Sequence, residues 1–179
     1  MKTTLHALRI LLVFTLLTGV LYPLAVTGIS QVFFAKKANG SLVSDGDKLI
    51  GSELLAQKFD SPRYFWPRPS AADFATVASG ASNKGPTSAD LVNSIAERRV
   101  KFGKDAPGDL LTASASGLDP HISPEAARHQ ITRVAAERKI APETLLALLE
   151  KLTEPPQWGI FGEPRVNVFA LNRALDAPR

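Results

Sequence analysis

The side chains of this 179-residue chain best suited to chemistry are three histidines, a serine-rich block and one glycine-bounded loop. Gly80 to Thr87 has the outline of a phosphate-binding turn. That motif needs a lysine directly after its second glycine, where the ammonium reaches the phosphates, and Pro86 occupies the position. His6, His121 and His129 show no metal-ligand spacing such as H-E-x-x-H, and His129 reads as a solvated helix residue. Ser114-Ala115-Ser116-Gly117 is not a Gly-x-Ser-x-Gly nucleophile elbow; a turn role suits Gly117 better. The absence of cysteine excludes disulfides, thiolate zinc sites and thiol catalysis. What remains are three dense polar loops: Arg68 to Ala71, Ala81 to Pro86 and Ser114 to His121. Without a nucleophile–base pair they read as a docking surface, with Arg68, Ser116 and Asp119 as its contact residues. No catalytic residue and no metal ligand is assigned.

These loops need elements to hold them. Thr87 and Asp90 form a capping box, and Leu91, Val92, Ile95 and Ala96 give the following helix an apolar face as far as Val100. Ser123-Pro124 is an N-cap followed by proline at the first helical position, and Ala127, Ile131, Val134 and Ala135 continue that helix. Pro142 and Glu143 open a third, carrying Leu145, Leu146, Leu148, Leu149 and Leu152 up to Pro155-Pro156. A short helix is expected over Ser52 to Phe59. Alternation predicts a strand over Val166 to Leu171, and Asp109 to Ser114 is a second candidate. Lys48 to Gly51 and Tyr64 to Trp66 are weaker ones. The fold class is α+β: a small mixed α/β soluble domain behind one N-terminal transmembrane helix.

That helix is read from Ile10 to Phe34, an apolar stretch without a single charge. Crossing about 30 Å of hydrocarbon takes about 20 residues. A cleaved signal peptide would have a shorter apolar region of about 7–15 residues and a small-x-small site, for which Val26-Thr27-Gly28 is a poor substitute. The chain divides into a flank (1–9), a span (10–35), a connector (36–48) and a soluble domain (49–179). Within the span, Thr15, Thr18, Gly19 and Tyr22 recur at i, i+3, i+4 and i+7, a small-residue face that suits packing on a partner helix. Pro23 removes a backbone donor and is expected to kink the helix.

The net charge of +4 is not a nucleic-acid signature. From Ala38 onward there are 17 basic and 17 acidic residues, so the excess is Lys2, Arg9, Lys36 and Lys37 at the two membrane ends. Two basic residues on each side leave the positive-inside rule nearly balanced. The N-terminal amine tips it toward a cytoplasmic N-terminus and an extracytoplasmic domain.

Several blocks together resemble the C subunit of the Kdp-type potassium-transporting ATPase. They are Tyr64-Phe65 through Arg68 to Ala71, Ala81 to Asn83 with Gly85-Pro86, and Asp109 through Thr112 to Ser123. Gln130-Ile131, Arg133 to Ala135, Arg138, Val166 to Val168, Leu171-Asn172 and Leu175 extend the match over essentially the whole chain. Phe169 departs from the leucine expected there. The resemblance implies a non-catalytic subunit of a bacterial inner-membrane complex that imports potassium with ATP. The implied partners are a channel-like potassium-selecting subunit and an ATP-hydrolysing subunit, whose ATP affinity the C subunit raises as a catalytic chaperone. No cofactor is expected to be bound covalently, and the resemblance allows ATP through the partner subunit. The resemblance also implicates Gln130 in nucleotide contact. An extracytoplasmic domain cannot meet cytoplasmic ATP, and Gln130 is then expected on a helix surface or at an interface. The competing classes are a membrane-tethered envelope enzyme using the serine-rich loops and a ligand-sensing domain.

Overall fold

The computed structural model describes residues 2–177. The outermost residues of the 1–9 flank and the 49–179 domain (Met1, Pro178 and Arg179) lie outside the described residues. Contacts separate two compact units, divided between Ser52 and Glu53.

The first unit is built on one long helix, Lys2–Phe33, with a mean hydropathy of 2.2 in its most apolar window and none of that window buried. It is the one helix among the described residues long and apolar enough to span a membrane. It has two α-helical parts, α1 (Lys2–Leu16) and α2 (Tyr22–Phe33), joined by a π-helical turn over Leu17–Leu21. The wide turn has a local cause. Pro23 has no N–H to bond four residues back, and the Tyr22 N–H reaches Leu17 O instead. The proline thus stands in the first turn of α2, where a missing donor costs least. Thr18 Oγ1 donates to Phe14 O at 2.6 Å, so its hydroxyl is satisfied within an apolar surface. A short α3 (Ala35–Ala38) follows, then an antiparallel hairpin of β1 (Leu42–Asp45) and β2 (Lys48–Ser52). Its tight connection uses Gly46 at φ +58°.

The second unit packs helices on a small sheet. In chain order it contains α4 (Ala89–Phe102), α5 (Gly108–Leu111), β3 (His121–Ile122), α6 (Pro124–Arg138), α7 (Pro142–Leu152), β4 (Thr153–Glu154), β5 (Arg165–Asn167) and α8 (Val168–Asp176). The sheet is antiparallel with β5 in the middle, pairing Ile122 and Thr153 with Val166 from its two sides. Phe65, Leu110, Ile122, Ile131, Val134, Leu145, Leu149, Val166 and Leu171 fill one core. α6 starts where Ser123-Pro124 predicts, with Ser123 Oγ accepting from Ala126 N, and α7 starts at Pro142.

Four expectations are corrected. The stretch expected as a strand over Val166 to Leu171 is strand only through Asn167. There the side chain of Asn167 accepts from Ala170 N and caps α8, and Val168, Leu171 and Asn172 turn inward at helical spacing. Asp109 to Ser114 contains the single turn α5 rather than a strand. No helix forms over Ser52 to Phe59; Leu54 and Leu55 lie in turn and loop backbone. The cap of α4 is Ser88, one residue beyond Thr87, and Val92 on its anticipated apolar face is exposed.

Candidate functional site

Tyr64 to Trp66, a weaker strand candidate, forms no strand; side chains hold its backbone instead. The Asn172 carboxamide accepts from Phe65 N at 2.8 Å and donates to Phe65 O at 2.9 Å. The Gln130 carboxamide does the same for Trp66, accepting at 2.8 Å and donating at 3.1 Å. A carboxamide carries an acceptor and a donor side by side, as a neighbouring peptide would. α8 and α6 therefore each supply one imitation peptide, and both are buried, Asn172 at 1% and Gln130 at 2% exposure. Gln130 is thus not the helix-surface residue anticipated.

Cations close the outer side of this clamp. Arg133 donates to Pro62 O, Tyr64 O and Gln130 Oε1, and its guanidinium lies 3.9 Å from the centre of the Trp66 ring. Lys101 approaches the same ring at 4.2 Å. Burial pulls Arg133 down to about 10, which leaves it charged at neutral pH. Arg138 donates to Arg63 O and Leu175 O and pairs with Asp176 at 2.7 Å. Asp176 in turn accepts from Tyr64 Oη at 2.8 Å, and that hydrogen bond, helped by burial, raises the Tyr64 pKa above its ordinary value.

Two of the three loops anticipated as a docking surface, Arg68 to Ala71 and Ser114 to His121, meet at one cleft of about 590 Å³, and Ala81 to Pro86 does not line it. Arg68, Ser116 and Asp119, from two loops distant in sequence, all line it. Arg68 Nη1 donates to Asp119 Oδ2 at 3.2 Å, while Arg68 Nε is buried without a hydrogen-bond partner among the described residues. Asp119 Oδ1 accepts from His121 N at 3.0 Å and lies 3.6 Å from His121 Nδ1. Desolvation pushes the Asp119 carboxyl upward. The hydrogen bonds from His121 and Arg68 outweigh it and hold the group below the ordinary carboxylate value.

Ser114 builds the turn beneath. Its Oγ accepts from Gly117 N at 3.1 Å and Asp119 N at 3.4 Å, and Ser116 Oγ accepts from Leu118 N at 3.1 Å. Backbone amides and the neighbouring hydroxyl thus surround both serines. Gly117 sits at φ +70°, and a Cβ there would come within 3.0 Å of Ser70 Oγ and 3.1 Å of Gly80 O. The Ser114–His121 loop therefore packs closely against Ser70 of the first loop and against Gly80. His129 Nε2 donates to Phe102 O at 2.6 Å. No group of three or more metal-ligating side chains occurs among the described residues. Thr15 lies just before the π-turn of the long helix, Thr18 and Gly19 within it and Tyr22 directly after it.

A family model described as "KdpC: K+-transporting ATPase, c chain" matches residues 4–177. The chain belongs to the KdpC family. Relatives named potassium-transporting ATPase KdpC subunit include one from Dechloromonas aromatica, 49% identical over 99% of this chain and 98% of its own. Those from Rhodospirillum rubrum and Geobacter metallireducens are each 51% identical, covering 98% and 95% of this chain and 96% and 95% of their own. The clamp made by Asn172 and the reach of Arg133 to Pro62 O and Tyr64 O escape pattern reading, because those partners are backbone groups far away in sequence. A polar residue at a core-facing helix position was the available signal: Gln130 stands among Ala126, Ala127, Ile131 and Val134, and Asn172 beside Leu171.

Proposed function

We propose that this chain is the non-catalytic accessory subunit of an ATP-driven potassium import complex in the bacterial inner membrane. Its single span packs against a partner helix through Thr15, Thr18, Gly19 and Tyr22. Its globular unit lies on the extracytoplasmic side and docks on the channel-like subunit through the cleft of Arg68, Ser116 and Asp119. The hydrolysing subunit gains ATP affinity because the assembled complex is held in a competent arrangement, a coupling between sites rather than a shared nucleotide pocket.

The observation carrying this reading is the state of Gln130. Both ends of its carboxamide are engaged by Trp66, and Arg133 donates a further bond to its oxygen. A side chain so employed has little left to offer a nucleotide, which supports a structural role. The exposed apolar length of the spanning helix supports a membrane partner, and relatives named as subunits of a potassium-transporting ATPase support the complex.

The test is a C-terminal reporter active only outside or only inside the cytoplasm. Activity of the outside reporter is expected. Activity of the inside reporter alone would overturn the topology and restore direct nucleotide contact at Gln130.

A further inference from the structure

The loop between β4 and β5 presents its largest side chains to solvent. Trp158 is 81% exposed, Ile160 78% and Phe161 59%, although each could contribute to a core. Such a cluster on a small neutral domain calls for a cover.

The loop is also shaped in advance. Gln157 and Phe161 exchange two backbone hydrogen bonds, at 2.8 and 3.0 Å, and Gly159 N and Ile160 N bond back to Pro156 O and Gln157 O. Pro155-Pro156 and Pro164 bracket it. Trp158 is held at φ +55°, a conformation that a bulky residue adopts only where its surroundings impose it. The result turns the indole outward, edge-on to Phe161 with ring centres 5.9 Å apart. A rigid aromatic projection loses little freedom when it is covered, which favours tight binding.

Charge and size choose among occupants. Residues 155–164 contain no lysine or arginine, and Arg165 is paired with Glu154 at 3.0 Å, leaving Glu163 as the excess charge. Basic residues add electrostatic affinity for anionic lipid surfaces, and this loop has none to contribute. The three side chains can bury on the order of 400–500 Å², short of the roughly 800 Å² per partner typical of a stable stand-alone interface. That suits an anchor within a larger assembly better than a self-made dimer.

We propose that Trp158, Ile160 and Phe161 form a preorganised anchor that inserts into an apolar, basic-rimmed recess on another protein subunit of the same transport complex. The proposal rests on the subunit role given above and adds a second contact surface, separate from the cleft of Arg68, Ser116 and Asp119.

The test uses the whole complex in its own membrane. A photo-reactive side chain replaces Trp158 in the full chain, and cross-linked products are identified by mass spectrometry. In parallel, Trp158→Asn with Phe161→Ala is compared with wild type for co-elution of partner subunits, alongside the melting temperature. The expected result is a cross-link to a named subunit of the complex and an at least tenfold loss of co-eluting partner after dilution, with melting within about 2 °C of wild type because these side chains touch little. Cross-links to lipid only or to a second copy only, or no cross-link in an intact complex, would overturn the proposal. Wild-type chain that retains no partner subunit would instead sink the subunit role itself, and this anchor with it.

Discussion

Gln130 and Trp66, 64 residues apart, are joined as two paired peptides would be: the glutamine oxygen accepts from Trp66 N at 2.8 Å and its nitrogen donates to Trp66 O at 3.1 Å. Asn172 repeats the arrangement on Phe65. One edge of the globular unit is therefore closed by side chains on α6 and α8.

Gln130→Ala would leave two backbone groups of Trp66 and one donor of Arg133 without partners. Buried groups left this way cost about 1–3 kcal/mol, which for a domain of this size lowers the melting temperature by several degrees. Thermal unfolding followed by circular dichroism checks the loss. In complex that still assembles, the apparent ATP affinity should equal that of wild type. A selective loss of ATP affinity with normal melting would count against the structural role.

Gly117→Ala introduces a Cβ at φ +70° against Gly80 O, a backbone atom that cannot swing aside. The strain is about 1–3 kcal/mol, and relief would come by opening the Ser114–His121 loop. Lower melting together with weaker partner co-elution is expected; wild-type values for both would show that the loop tolerates displacement.

Asp119 gives the cleft a signed pH dependence. Its folded carboxyl titrates below the unfolded value of about 3.9. A lowered acid favours the folded state above the unfolded pKa and loses that contribution as pH falls through the folded one. The melting-temperature gap between wild type and Asp119→Asn should therefore be present at about pH 5 and close below about pH 4. A gap that widens on acidification would contradict the assignment.

Gly19→Leu places a branched side chain within the π-turn, beside Thr18. Close helix approach relies on small residues. Co-elution of partner subunits should fall while unfolding of the globular unit stays as in wild type, since Gly19 belongs to the other compact unit. Unchanged co-elution would remove this face from the interface.

Legibility in the sequence followed the range of the signal. Ser123-Pro124 and Pro142 mark the starts of α6 and α7, because caps and first-turn prolines act within one turn. Val166 to Leu171 misleads because alternation and helical spacing coincide over so short a stretch; the cap made by Asn167 decides for the helix after it. Tyr64 to Trp66 forms no strand, and the side chains that hold Phe65 and Trp66 lie 107 and 64 residues away, which no local pattern encodes. In the same way, Arg68, Ser116 and Asp119 stood out as polar loop residues, while their convergence on one cleft comes from the Arg68–Asp119 contact and the fit of Gly117 against Gly80. The exposed cluster at Trp158 could not be read as exposed from composition, since tryptophan, isoleucine and phenylalanine ordinarily signal core.

The central claim is that the spanning helix is part of the subunit interface and not only a tether. Replacing residues 10–35 by an unrelated spanning helix of equal length, in cells lacking the native chain, tests it through high-affinity potassium uptake. The account predicts an anchored, folded domain that restores neither uptake nor a stable complex. Full restoration of uptake by the foreign helix would contradict it.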